Sequence, residues 1–148
     1  MGEILKFMLE ENQIDFSDGV GSNEESLAKT ARLFYVGTHK GRKYTMDDLK
    51  KIVDNFNDTE RIPVQLDHST SARDTVGITK RVWLSDDGTE IHGELEFLGK
   101  GNVDRVRLGL WKQVSVGLSI KQPEMKLLEV SITPFPASAW RSPSIAFL

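Results

Sequence analysis

The sequence predicts an α+β domain: a mostly antiparallel β-sheet or barrel with two or three flanking helices. Three observations lead to that class. Short segments of alternating apolar and polar residues recur, the cleanest of them at 113–120. Two such segments, 76–84 and 90–98, are separated by Ser85-Asp86-Asp87-Gly88 and a threonine, which is hairpin-turn chemistry. One stretch, after Thr45, carries its apolar residues at helical spacing instead.

Length and composition narrow the function classes. A chain of 148 residues makes one ordinary domain with a real core. Its 39% hydrophobic and 28% charged residues are those of a globular protein. No apolar run reaches the roughly 18–20 residues of a membrane span. The N-terminal stretch from Met1 to Glu11 is too acidic and too weakly apolar for a signal peptide. The absence of cysteine excludes disulfides, thiolate catalysis and cysteine-based zinc sites. A net charge of −3 argues against nucleic acid as the main partner. The sequence carries no cofactor or metal motif.

In chain order, residues 1–30 hold seven acids against two bases and are expected to be a partly ordered acidic arm, with the main domain at 31–148. Residues 4–9 suit a short strand or a helical turn. A strand is expected at 31–36, and Gly37-Thr38-His39-Lys40-Gly41 is expected to turn. Thr45 can cap a helix in which Asp47 and Asp48 favour the positive end of the dipole. Met46, Leu49, Ile52, Val53 and Phe56 form its apolar stripe.

Residues 62–66 form a short strand whose Pro63 suggests a place near a sheet edge. It delivers Asp67-His68 to its end, followed by the polar loop 69–74. In the second strand of the hairpin Ile91, Gly93, Leu95 and Phe97 share one face. Asn102 is expected to cap a short helix over 103–110, with Val103, Val106 and Leu110 inward. After a turn at 121–124, residues 126–133 are a strand with Leu128, Val130 and Ile132 on the core face. Leu127, Glu129 and Ser131 lie on its other face. Pro134 and Pro136 end that strand.

The alternation at 113–120 puts Val114, Val116, Leu118 and Ile120 on one face and Gln113, Ser115, Gly117 and Ser119 on the other. The apolar face is core. On the polar face, Ser115 is a candidate nucleophile displayed on a rigid strand, and Gly117 would let another chain approach its hydroxyl. A serine hydroxyl reacts poorly until a base takes its proton, and imidazole suits that task. Of three histidines, His39 lies in the expected surface turn, His92 is mid-strand, and His68 stands at a strand end beside a loop. A third group should orient the imidazole. Glu129 serves if its strand pairs with that of Ser115; Asp67 and His92 compete for the role. Residue types alone do not decide this, since most chains of this size contain all three.

The ordered set Pro63-Val64-Gln65-Leu66-Asp67-His68, Val76-Gly77, Val114-Ser115-Val116-Gly117 and Leu128-Glu129-Val130-Ser131-Ile132-Thr133-Pro134-Phe135-Pro136-Ala137 resembles the prohead (capsid maturation) proteases of tailed bacteriophages. These are related in fold to the herpesvirus assembly proteases. The resemblance spans roughly residues 31 to 140. It implies a herpesvirus-protease-like fold, with His68 as base and Ser115 as nucleophile. Glu129 matches the acidic position, whereas the herpesvirus relatives use a second histidine. No histidine follows Ser115 here, so that order is excluded.

The implied activity is that of a serine endopeptidase needing no cofactor. It would cleave the phage scaffold protein, the major capsid protein and itself inside the prohead, in the host cytoplasm. Oxyanion donors would be backbone N–H groups, with Arg107 and Arg141 as available cations. Homo-oligomerisation is suggested by the herpesvirus relatives. The alternative reading is an inactive capsid-assembly or scaffold-binding module on the same fold.

Overall fold

The structure is a computed structural model and describes residues 4–13, 23–121 and 124–133. These residues include nine strands, two α-helices and two single-turn 3-10 helices. Seven strands form one sheet: β1 (Ile4–Gln13), β8 (Gln113–Ser119), β9 (Lys126–Ile132), β5 (Pro63–Leu66), β6 (Thr75–Leu84), β7 (Glu90–Leu98) and β2 (Ser26–Tyr35), in that spatial order. Every neighbour pair is antiparallel except β5 with β9. The sheet curls far enough to bring its edge strands β1 and β2 near one another. The class is therefore the expected one: α+β, with a curled and mostly antiparallel sheet.

The β6–β7 hairpin follows its alternation. Ile91, Leu95 and Phe97 are buried, and the turn closes with Gly88 N–H donating to the Ser85 carbonyl at 2.9 Å. Helix α1 (Met46–Asp54) begins with a reciprocal cap: the Thr45 hydroxyl accepts from Asp48 N–H, and the Asp48 carboxylate accepts from Thr45 N–H. Leu49 and Ile52 are its buried residues, each contributing about 1.5–3 kcal/mol through burial. The Asn55 amide then ties the helix end to the Met125 carbonyl at 2.8 Å, just ahead of β9. The apolar face of the sheet, α1 and Val103 and Val106 of α2 (Lys100–Arg107) close on one core.

Several elements depart from the sequence expectation, each for a physical reason. Residues 4–13 are a strand, one of the two alternatives expected at 4–9, and it runs further than expected, to Gln13, alongside its partner β8. Strand β2 starts at Ser26, upstream of the strand expected at 31–36, because it pairs with the whole of β7. The segment expected to be a simple turn is a small hairpin, β3 (Gly37–His39) with β4 (Arg42–Tyr44), turning on Lys40 and Gly41 at positive φ. Strand β5 lies inside the sheet, not near an edge. Pro63 is tolerated there as its first residue, where a missing N–H costs least.

Helix α2 starts three residues earlier than expected, behind Gly99. The Asn102 side chain bonds the Leu98 carbonyl instead of capping. Met46 and Leu110, expected on apolar faces, are 53% and 65% exposed. In β9 a bulge lies between the Gly117/Glu129 and Leu118/Leu127 pairs, so the alternation reverses there. Leu127 is consequently buried, whereas Leu128, expected in the core, is only partly so. The expected strand end at Pro134–Ala137 and the tail with Arg141 lie outside the described residues.

Candidate active site

Three neighbouring strands in the middle of the sheet assemble the site. Across β8 and β9, Ser115 faces Ser131 and Gly117 faces Glu129. Across β9 and β5, Ser131 faces Gln65 and Ile132 faces Leu66. Gln65, Ser131 and Ser115 thus form one row across the sheet, and Glu129 stands one step along β9 on the same face.

His68 reaches this face through a sharp turn at the end of β5. Asp67 and His68 both adopt the left-handed conformation, at φ 51° and 58°. For residues with a Cβ this costs roughly 1–2 kcal/mol each. Three backbone donors hold the turn. Asp67 N–H donates to the Ile132 carbonyl at 2.9 Å, His68 N–H to Ser131 Oγ at 2.9 Å, and Ser69 N–H to the Leu66 carbonyl at 2.8 Å. Downstream, the Gln65 amide nitrogen donates to the Ser69 and Ser71 carbonyls, each at 3.0 Å. The Thr75 hydroxyl closes this loop by donating to the Gln65 amide oxygen.

The turn aims the imidazole between serine and carboxylate. His68 Nε2 is 2.8 Å from Ser115 Oγ, and Nδ1 is 2.5 Å from Glu129 Oε1. An ionised carboxylate only accepts hydrogen bonds, so with Glu129 ionised it is Nδ1 that donates to Oε1 and Nε2 that accepts from the Ser115 hydroxyl. The other Glu129 oxygen, Oε2, accepts from the Ser131 hydroxyl at 2.6 Å. Ser115 and Ser131 are fully buried, while the His68 and Glu129 side chains are 14% and 13% exposed.

The three residues singled out in the sequence thus meet in one chain of hydrogen bonds. The competitors for the third position go elsewhere. His92 bonds Glu90 at 2.8 Å and packs edge-on against Trp83, and Asp67 is exposed. His39 is not a solvated turn residue. It is 2% exposed among Phe34, Tyr35 and Tyr44, and its Nε2–H donates to the Tyr35 carbonyl at 2.9 Å. Of the two arginines considered for an oxyanion, Arg107 donates to the Asn23 carbonyl at 3.2 Å and Arg141 lies outside the described residues.

Gly117 faces the Glu129 side chain closely. A Cβ at this position would lie 2.7 Å from Glu129 Oε1 and 3.1 Å from its Cγ. The bare backbone therefore makes room for the Glu129 carboxylate. Ser131 and Gln65 were missed as site residues. The available signal was the position of Ser131 two residues after Glu129, on the same strand face.

Among solved structures, the chain is similar to the bacteriophage T4 capsid assembly protease gp21. The TM-score is 0.64 at 16% identity, over 90% of this chain and 98% of that one. The fold is that of a phage capsid assembly protease. No family model matches the sequence, and no curated protein matches it. Among the described residues, no helix is long and apolar enough to cross a membrane, and no cluster of His, Asp and Glu could hold a metal ion.

Proposed function

We propose that this chain is a serine endopeptidase of phage capsid maturation. The observation that carries the reading is the unbroken relay from Ser115 Oγ through His68 to Glu129. It stands on a fold similar to that of the T4 protease. Ser115 Oγ attacks the carbonyl carbon of a peptide bond while its proton passes to His68 Nε2. Glu129 holds Nδ1–H and offsets the imidazolium charge. Collapse of the tetrahedral intermediate breaks the C–N bond, and His68 gives the proton to the departing amine. A water then attacks the acyl-serine, losing its proton to His68, and Ser115 leaves with that proton.

The substrates are segments of the scaffold and major capsid proteins, and of the protease itself, inside the prohead in the host cytoplasm. Ser115 has no exposed surface, so a peptide or a small reagent reaches its hydroxyl through transient local opening of the site.

Ser115→Ala tests the reading. Processing of scaffold and of the protease itself falls by at least about 10³-fold. The fold persists, since the lost hydrogen bond is worth about 1 kcal/mol. Processing at the wild-type rate in that variant overturns the proposal.

A further inference from the structure

The Ser131 hydroxyl makes two bonds that meet at the proposed catalytic group from opposite sides. It accepts from His68 N–H at 2.9 Å and donates to Glu129 Oε2 at 2.6 Å. A hydroxyl has one proton and two lone pairs, so both bonds form at once without conflict. Ser131 is fully buried and faces Ser115 across the strand pair. It touches neither the Ser115 hydroxyl nor any atom that would react, among the contacts of its side chain given by the structure.

We infer that Ser131 is a positioning residue, which clamps the backbone of His68 and the carboxylate of Glu129 to one point so that the imidazole stays in line with Ser115. This rests on the serine-hydrolase reading above. The physical need comes from the strained turn. Two consecutive left-handed residues hold the imidazole, and the bond from His68 N–H is one of the few that offset their cost. The carboxylate needs the same anchor. His68 occupies Oε1 and Ser131 occupies Oε2, so loss of the hydroxyl leaves the carboxylate able to rotate about its last bond. A shift of the imidazole by about 1 Å is enough to cost on the order of 10²-fold in rate.

The test uses Ser131→Ala and Ser131→Thr, with three readouts on the folded chain: the low-field proton resonance of His68 Nδ1–H, the rate at which a fluorophosphonate labels Ser115, and the urea midpoint. In Ser131→Ala the resonance moves upfield or exchanges away. Labelling slows on the order of 10- to 100-fold, and the urea midpoint falls because the strained turn and the buried carboxylate each lose a hydrogen bond, while the chain stays folded. Ser131→Thr keeps the hydroxyl and returns resonance and labelling to within a few-fold of wild type. The inference is overturned if Ser131→Ala keeps the resonance and labels at the wild-type rate, or if folded Ser131→Thr is as slow as Ser131→Ala. Failure of the hydrolase reading looks different: wild type then takes no label on Ser115. The response of the His68 resonance to Ser131→Ala still decides whether the hydroxyl holds the imidazole.

Discussion

Gly117 sits opposite Glu129 on β8, and the space where its side chain would stand is filled by the Glu129 carboxylate. Gly117→Ala must push that carboxylate away from His68, because a β-carbon 2.7 Å from Oε1 is not sustainable. The expected outcome is a loss of activity on the order of 10²-fold, from displacement of an orienting group, with a stability cost of about 1–3 kcal/mol for overpacking. Steady-state rates beside urea melts check this. Full activity in a normally folded Gly117→Ala would mean that Glu129 need not stand where it does.

This residue also marks what the sequence could disclose. Strict alternation separated Ser115 and Gly117 from the core face, and the motif order singled out His68 and Glu129. What alternation lacks is register. Only the pairing of β8 with β9 assigns Gly117 to Glu129 and Ser131 to Ser115. A serine inside a strand otherwise has nothing to distinguish it from a solvated one.

At the scale of elements, local patterns and turn chemistry identified what they govern. Helix α1 and the β6–β7 hairpin are formed by contacts close in sequence, and their ends are nearly those expected. Elements set by distant partners were harder to locate. Strand β2 extends to match β7, β1 is held by β8, and the bulge in β9 exchanges the roles of Leu127 and Leu128.

The β3–β4 hairpin shows the same limit with a measurable consequence. Its glycines suggested a solvated turn, but aromatic rings from β2 and β4 enclose His39. Burial holds the His39 pKa below its ordinary value of 6.5, with the Tyr35 carbonyl acting weakly the other way. The unfolded chain therefore binds a proton at a pH where the folded chain does not. Stability from this site is complete above about pH 6.5 and declines as pH falls toward the lower folded value. A proton NMR titration should give a midpoint for the His39 ring below that of a free histidine. A midpoint above about 6.5 would contradict the buried, neutral assignment.

For the whole molecule, the curled sheet brings together residues 47 and 61 positions apart in the chain, at the junction of β8, β9 and β5. The parallel pairing of β5 with β9 is the long-range feature that makes this work, because it sets the end of β5 beside the end of β9. His68 then turns back over the row formed by Gln65, Ser131 and Ser115. Alternation and composition carry no information about such a crossover. The order of the motifs did, through resemblance to proteins that share the fold.

The most direct test is covalent labelling of the folded chain by a small fluorophosphonate, followed by peptide mass mapping, in wild type and His68→Ala. One adduct is expected, on Ser115, forming at least about 10²-fold more slowly when the base is removed. No adduct on Ser115, or equal labelling of scattered hydroxyls in both proteins, would contradict the proton relay.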